Sequence, residues 1–388
     1  MNYRGIDPDS GKAIEIGVER GRIASVASLA SSDGEALPFI CRGFLDIQVN
    51  GYDGSDYSLE NLDRRHIERI IRSLAASGTA RHVPTIVTSP RERILRNLRK
   101  ITDARRASPL IDAAIAGIHI EGPFISGEDG PRGAHDPKYV RDPDFGEFQE
   151  WQDAAEGLIR IVTVAPEREG ALEFIKKITG TGVIAAIGHT AAQPETIREA
   201  IAAGCTLSTH LGNGSHAALA RLRNYIWEQL ADDRLSASLI SDGFHLPEAV
   251  VRVILRAKGM ERLILVSDVA LLGGSKPGLY RWGNLDVQVF DDGHIGLPGT
   301  TFLAGAAHLL DWDIPAFMRF TRTSLGDTIR LCTLNPARLL FPSAPAGAGT
   351  LAEGESADIT VFRFAEGEPR LRILKTLIGG EEMPTIST

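Results

Sequence analysis

Eight short runs dense in valine and isoleucine recur along this chain, and segments with helical periodicity lie between most of them. The runs are FLDIQVN (44–50), HVPTIVT (82–88), AAIAGIHIEG (113–122), LIRIVTVAPE (158–167), VIAAIGHT (183–190), CTLSTHL (205–211), SASLISDG (236–243) and LILVSDV (263–269). Several are almost continuously apolar, as strands covered on both faces should be. Among the intervening segments, LDRRHIERIIRSLAAS puts Ile67, Ile70, Ile71 and Leu74 on one helical face. ETIREAIAAG stops at Gly204, and LPEAVVRVILRAKG runs from Pro247 to Gly259. Eight strands alternating with helices predict an α/β fold, a (β/α)8 barrel of the TIM type. An open doubly wound sheet is the alternative; it would more often carry a glycine-rich phosphate loop after its first strand, and none is present.

The two ends read differently. Residues 12–28, KAIEIGVERGRIASVAS, look like two strands around an ERGR turn, and 349–379 are short strands broken by glycine-rich turns. Both ends are expected to form one small β-sandwich domain, from residues 1–42 and 342–388, around a barrel at 43–341. PSAPAGAG (342–349) is the clearest linker. A length of 388 residues accommodates this arrangement, and 43% hydrophobic with 24% charged residues excludes disorder and fibrous repeats.

Cys41, Cys205 and Cys332 are too scattered for a disulfide framework or a paired-cysteine metal site, so a reducing cytoplasm is the expected location. The first twenty residues carry no apolar signal core, and no apolar run approaches membrane-spanning length. A net charge of −8 without a basic block argues against nucleic acid or an anionic membrane as partner. An anionic substrate would then need a local basic pocket.

In such a barrel the active site is built at the C-terminal ends of the strands. The third run ends in His119-Ile-Glu121, the fifth in Gly188-His189-Thr190 and the sixth in Thr209-His210. The seventh ends in Ser241-Asp242-Gly243 with His245 just beyond, and the eighth reaches Asp268. Taken singly, each has a plainer reading: a satisfied rim histidine for His189 or His210, a helix cap for Asp242 or Asp268, an acceptor of loop amides for Glu121. Together, one carboxylate and two imidazoles at one mouth match the ligand set of a catalytic metal site with an open position. His66, His82, His119, His294 and His308 are expected to be structural, and His216 could line the mouth.

With those residues in view, the chain resembles the amidohydrolase superfamily and, within it, the N-acetylglucosamine-6-phosphate deacetylase family. The resemblance rests on an ordered series: GFLDIQVNG (43–51), HVPTIVTS (82–89), GIHIEGPFI (117–125), GAHDP (133–137), VTVAPE (162–167) and AAIGHT (185–190). STHLGN (208–213), ISDGFH (240–245), VSDV (266–269), TLNPAR (333–338) and GTLAEGESADITVF (349–362) complete it. It implies that Glu121, His189 and His210 bind one divalent metal, zinc first, with iron, cobalt or nickel as alternatives. It implies Asp268 as acid/base and His135 as the contact to the acyl carbonyl. For the substrate it implies Asn213, Gly214, Arg221, His245, Leu303, Ala304 and Gly305, with Arg221 and His245 on the phosphate and Arg221 in some relatives reaching in from a neighbouring subunit. A homodimer follows from that implication alone. The plainer reading of Arg221 is a solvated cation on an amphipathic helix, ALARLRNYIWEQL.

The first strand reads Gln48-Val49-Asn50 where many relatives carry a histidine pair, and the fourth offers no lysine, which favours one metal over two; Gln48 and Asn50 are expected as hydrogen-bonding groups at the barrel floor. Around the substrate, Gly212 and Gly214 replace larger residues, VALLGGSKPG follows Asp268, and Ala306 replaces a hydroxyl-bearing residue. The implied reaction is metal-assisted hydrolysis of an N-acetyl amide on an amino sugar, N-acetylglucosamine-6-phosphate to glucosamine-6-phosphate and acetate. The alternatives are deacetylation of another N-acyl amino sugar or N-acyl amino acid without phosphate, and a non-catalytic sugar-binding barrel.

Overall fold

A computed structural model describes the chain except for residues 30–36, 283–284, 301, 345–346, 348 and 385–388, so part of the expected 342–349 linker lies outside the described residues. The eight apolar runs form one parallel sheet: Phe44–Val49, Thr79–Val87, Ile118–Glu121, Ile159–Val164, Ile184–Ile187, Leu207–Ser208, Ser236–Leu239 and Leu263–Leu265, paired in chain order. The ring is closed by a parallel bridge between Val49 and Val269, with the Asp268 amide donating to the Gln48 carbonyl at 3.0 Å. Leu45, Ile47, Val83, Ile161, Ala186, Leu207, Ile264 and Val266 fill the interior, and the helices cover the outside. The expected barrel is therefore the observed one.

The helices follow their sequence signals. Arg64–Ala76 begins at Asp63, whose carboxylate accepts from the Arg65 and His66 amides, and it buries Ile67, Ile70, Ile71 and Leu74. Pro194–Ala203 stops at Gly204 (φ 122°), and Glu248–Lys258 stops at Gly259 (φ 70°).

A separate seven-stranded sheet is built from both ends of the chain. Strand Phe39–Arg42 lies between Ile359–Arg363 and Asn2–Ile6, with Ala13–Glu19 and Arg22–Ser28 on one flank and Arg372–Ile378 with Glu381–Glu382 on the other. Arg42 and Asp358 form a buried ion pair at 3.1 Å across the central strands. A three-stranded antiparallel sheet (Gly278–Trp282, Leu285–Val289, Ile295–Gly296) follows the VALLGGSKPG segment after Asp268. It packs Val287, Val289 and Ile295 against Leu272, Ala304 and Ala307 beside the barrel mouth. No described helix is long and apolar enough to cross a membrane.

Candidate active site

Three residues immediately beyond barrel strands adopt a left-handed backbone: His189 (φ 49°), His210 (φ 31°) and Asp268 (φ 48°). Non-glycine residues rarely hold this conformation, which costs of order 1–3 kcal/mol each and clusters at functional sites. With Glu121 at the end of the third strand, these residues reach one buried centre. Glu121 Oε1 lies 2.9 Å from His210 Nε2 and 3.3 Å from His189 Nε2, and the two Nε2 atoms are 3.1 Å apart. A tetrahedral ion with arms of about 2.0 Å has donor–donor edges of about 3.3 Å, so the three atoms fit three corners of such a site. His189 is oriented for this by its other nitrogen, 2.8 Å from the Pro131 carbonyl. Glu121, His189 and His210 are also the group of the described residues that could hold a metal ion.

The electrostatics match. Burial pushes the Glu121 carboxyl up, but hydrogen bonds from and charges on His189 and His210 outweigh it and hold the group well below the usual carboxylate range. Burial alone would depress His210; the Glu121 carboxylate reverses that and raises it. This centre therefore favours positive charge in place. Asp268 behaves oppositely. Burial, then the Glu121 charge, pushes it up to about 6 against the pull of His210 and Asn50. A carboxyl poised near neutrality can both take and return a proton.

Gln48 and Asn50 require a correction. They stand at the mouth rather than at the barrel floor, because the first strand runs toward the same rim as the ligands. Gln48 Nε2 donates to Glu121 Oε1 at 2.8 Å, and Asn50 Nδ2 donates to Asp268 Oδ1 at 2.8 Å. His135 is brought to the same centre, its Nε2 at 3.3 Å from His189 Nε2 and its Nδ1 at 2.8 Å from Thr88 Oγ1. Burial, reinforced by His189, pushes its pKa down to about 3, so it is a neutral imidazole.

Asn213 folds back on the His210 carbonyl. Gly214 (φ 55°) closes on His189, where an added Cβ would lie 2.7 Å from Nδ1, so this wall is tight against a candidate ligand. His245 Nδ1 pairs with Asp242 Oδ2 at 2.7 Å, and Asp242 also accepts the Phe244 and His245 amides. Leu303 is bridged to Gly296, Ala304 packs with Val287, Val289 and Ile295, Gly305 lies against Ala270, and Ala306 is bridged to Val269. Arg221 is not on a helix: only Tyr225–Ala231 is helical, started by Asn224, and Arg221 lies exposed in the preceding loop.

The histidines expected to be structural divide in two. His66 caps a helix, His82 contacts the Tyr57 hydroxyl at 2.6 Å, and His119 contacts Thr163 at 2.7 Å inside the barrel. His294 and His308 instead both stack with Phe244, joining the three-stranded sheet to the loop that bears His245. His216 links the two loops at the mouth through Tyr225 and Glu128.

No family model matches the chain. It is 31% identical to the N-acetylglucosamine-6-phosphate deacetylase of Bacillus subtilis (strain 168) over 363 residues, covering 89% of this chain and 88% of the relative. It is 33% identical to the enzyme of that name from Bos taurus over 351 residues, covering 87% and 82% respectively. Among solved structures, an aspartate-to-alanine mutant of N-acetyl-D-glucosamine-6-phosphate deacetylase from Mycobacterium smegmatis, in complex with N-acetyl-D-glucosamine-6-phosphate, aligns with a TM-score of 0.83. The identity there is 31%, over 96% of this chain and 94% of that one.

Proposed function

Since the chain belongs to the N-acetylglucosamine-6-phosphate deacetylase family, we propose that it hydrolyses the N-acetyl amide of N-acetylglucosamine-6-phosphate, giving glucosamine-6-phosphate and acetate. The observation that carries this reading is the convergence of Glu121, His189 and His210 beside the half-buried Asp268. A non-catalytic barrel would have little use for that carboxyl next to a metal-binding triad.

In the proposed mechanism Glu121, His189 and His210 would hold one divalent ion, zinc being the first candidate for two imidazoles and a carboxylate. Such an ion supplies Lewis-acid polarisation of the amide carbonyl and makes water more acidic. Asp268 takes the proton of the attacking water and passes it to the departing amine, without which amide cleavage stalls. His135 offers an N–H to the carbonyl oxygen as negative charge grows there. Gln48 holds the Glu121 oxygen in place, and Asn50 holds Asp268. His245, braced by Asp242, and the exposed Arg221 would meet the phosphate.

We propose a homodimer in which Arg221 serves the neighbouring subunit. Leu222 and Trp227 flank it and are 79% and 48% exposed, which is apolar surface suited to a partner copy. The free buried cysteines suit a reducing cytoplasm. Gly212 and Gly214 favour a second reading, deacetylation of another N-acetylated amino sugar. The test is a paired assay of N-acetylglucosamine-6-phosphate and N-acetylglucosamine, with metal quantified on the same preparation. Strong preference for the phosphorylated sugar supports the first reading. Metal present with neither sugar cleaved rejects it and retains the amide chemistry.

A further inference from the structure

Of the three residues that turn left-handed at the barrel mouth, His210 has the smallest φ, 31°. Such a backbone is uncommon outside glycine, asparagine and aspartate, and it persists only where the surroundings fix it. On the side of the seventh barrel strand, those contacts come from one residue. Strand Leu207–Ser208 pairs in parallel with Ser236–Leu239, and the pairing ends with Ser208 opposite Ala237. Beyond that point the His210 amide donates to Ser238 Oγ at 2.7 Å, where a regular ladder would supply a carbonyl. The Leu211 amide donates to the Ser238 carbonyl at 2.9 Å. The Ser238 hydroxyl keeps one proton to donate, and the Ser208 carbonyl accepts it at 3.3 Å. Residues 208–211 therefore bend around Ser238. None of these contacts involves the imidazole ring, so the arrangement does not depend on the protonation of His210.

A second observation separates this serine from its neighbour. Ser208 and Ser238 are 0% and 1% exposed. Ser208 Oγ has no hydrogen-bond partner among the described residues, whereas Ser238 Oγ is engaged twice. Without the Ser238 hydroxyl, the His210 amide would be left buried and unpaired, a state that folded proteins avoid.

We propose that Ser238 is a positioning residue whose hydroxyl fixes the left-handed backbone of His210 and thereby sets where His210 Nε2 meets the other two donors. Released from it, His210 would relax about its N–Cα bond toward negative φ and carry the imidazole away from Glu121 and His189. The proposal rests on the metal-centre reading for its consequence but not for the backbone contact, and it holds whichever amide is cleaved.

The test compares Ser238→Ala with Ser208→Ala, which removes an equally buried hydroxyl that holds nothing. Zinc affinity, measured by chelator competition, should fall on the order of 10- to 100-fold in Ser238→Ala, as on loss of a group that orients a metal ligand. It should stay at the wild-type level in Ser208→Ala. The visible absorption of the cobalt-loaded protein should shift in Ser238→Ala alone. Crystal structures of the metal-free proteins should show His210 left-handed in the wild type and in Ser208→Ala, and out of that conformation in Ser238→Ala. Should the alanine variant fail to fold, Ser238→Cys, whose sulfur is a weak acceptor, takes its place with the same readouts. The proposal is overturned by wild-type zinc affinity in the Ser238 variant, by an equal loss in Ser208→Ala, or by an unmoved His210 backbone. Should the wild-type protein bind no zinc, the metal-centre reading fails while the crystal structures still decide the role of Ser238.

Discussion

Asn50, at the end of the first barrel strand, donates its side-chain amide both to the Asp268 carboxylate at 2.8 Å and to the Asp268 carbonyl at 3.2 Å. One residue thus holds the backbone and the reactive group of the other across the seam that closes the barrel. The bond to the carboxylate favours its charged form, against burial and Glu121, which together push Asp268 up to about 6. A base must be ionised to accept a proton, so kcat/KM is expected to fall as pH drops through about 6. Asn50→Ala removes the opposing bond and should move that limb upward by roughly one pH unit, the equivalent of about 1.4 kcal/mol. A pH–rate profile of both proteins checks this; an unmoved limb would mean that another group titrates.

Asp268→Asn should reduce turnover by about 10²- to 10⁴-fold, the usual contribution of a positioned acid/base. Asparagine tolerates the left-handed backbone at this position, so the fold should survive. Metal content should also survive, since Asp268 is not among the three converging donors. Activity assays beside elemental analysis decide the matter, and loss of metal in this variant would reassign Asp268 as a ligand.

His189→Ala and His210→Ala should act in the reverse order, lowering bound metal first and activity as a consequence. Added zinc should raise the melting temperature of the wild-type protein, because an ion bound only to the folded state stabilises it by mass action. The same addition should do little for either variant. Metal retained at wild-type levels in both would remove the proposed centre.

Asp313 is fully buried on helix Leu310–Thr321, and both carboxylate oxygens lack a hydrogen-bond partner among the described residues. Burial, reinforced by Asp242, Asp46 and Asp311, drives its pKa well above the usual range. Between the unfolded value near 4 and the raised folded value, the native state keeps a proton that the unfolded state releases. Stability from this group is therefore complete at low pH and is lost as pH rises through the folded pKa. Asp313→Ala should raise the melting temperature at pH 8 more than at pH 5, and melts at the two values test it.

The barrel was legible because runs such as LIRIVTVAPE are buried on both faces, which leaves a continuous apolar signature. The same register carried Glu121, His189 and His210 to strand ends, so their meeting could be anticipated from topology. Other features had no such marker. ALARLRNYIWEQL has helical periodicity, yet Asn224 accepts the Ile226 and Trp227 amides and starts the helix late, leaving Arg221 in a loop. Gln48 was misplaced because polarity suggested hydrogen bonding without indicating its partner across the barrel.

The seven-stranded sheet has a consequence for how the protein is made. Strand Phe39–Arg42 leaves the ribosome early, but its neighbour Ile359–Arg363 follows about 300 residues later, roughly 15–60 s at ordinary rates of synthesis. Throughout that interval one edge of the nascent sheet is without its final strand, and Ile40 lacks the cover that Ile359 and Val361 later bring. The nascent chain should accordingly be most prone to chaperone capture before its last strands emerge, however early the barrel has formed.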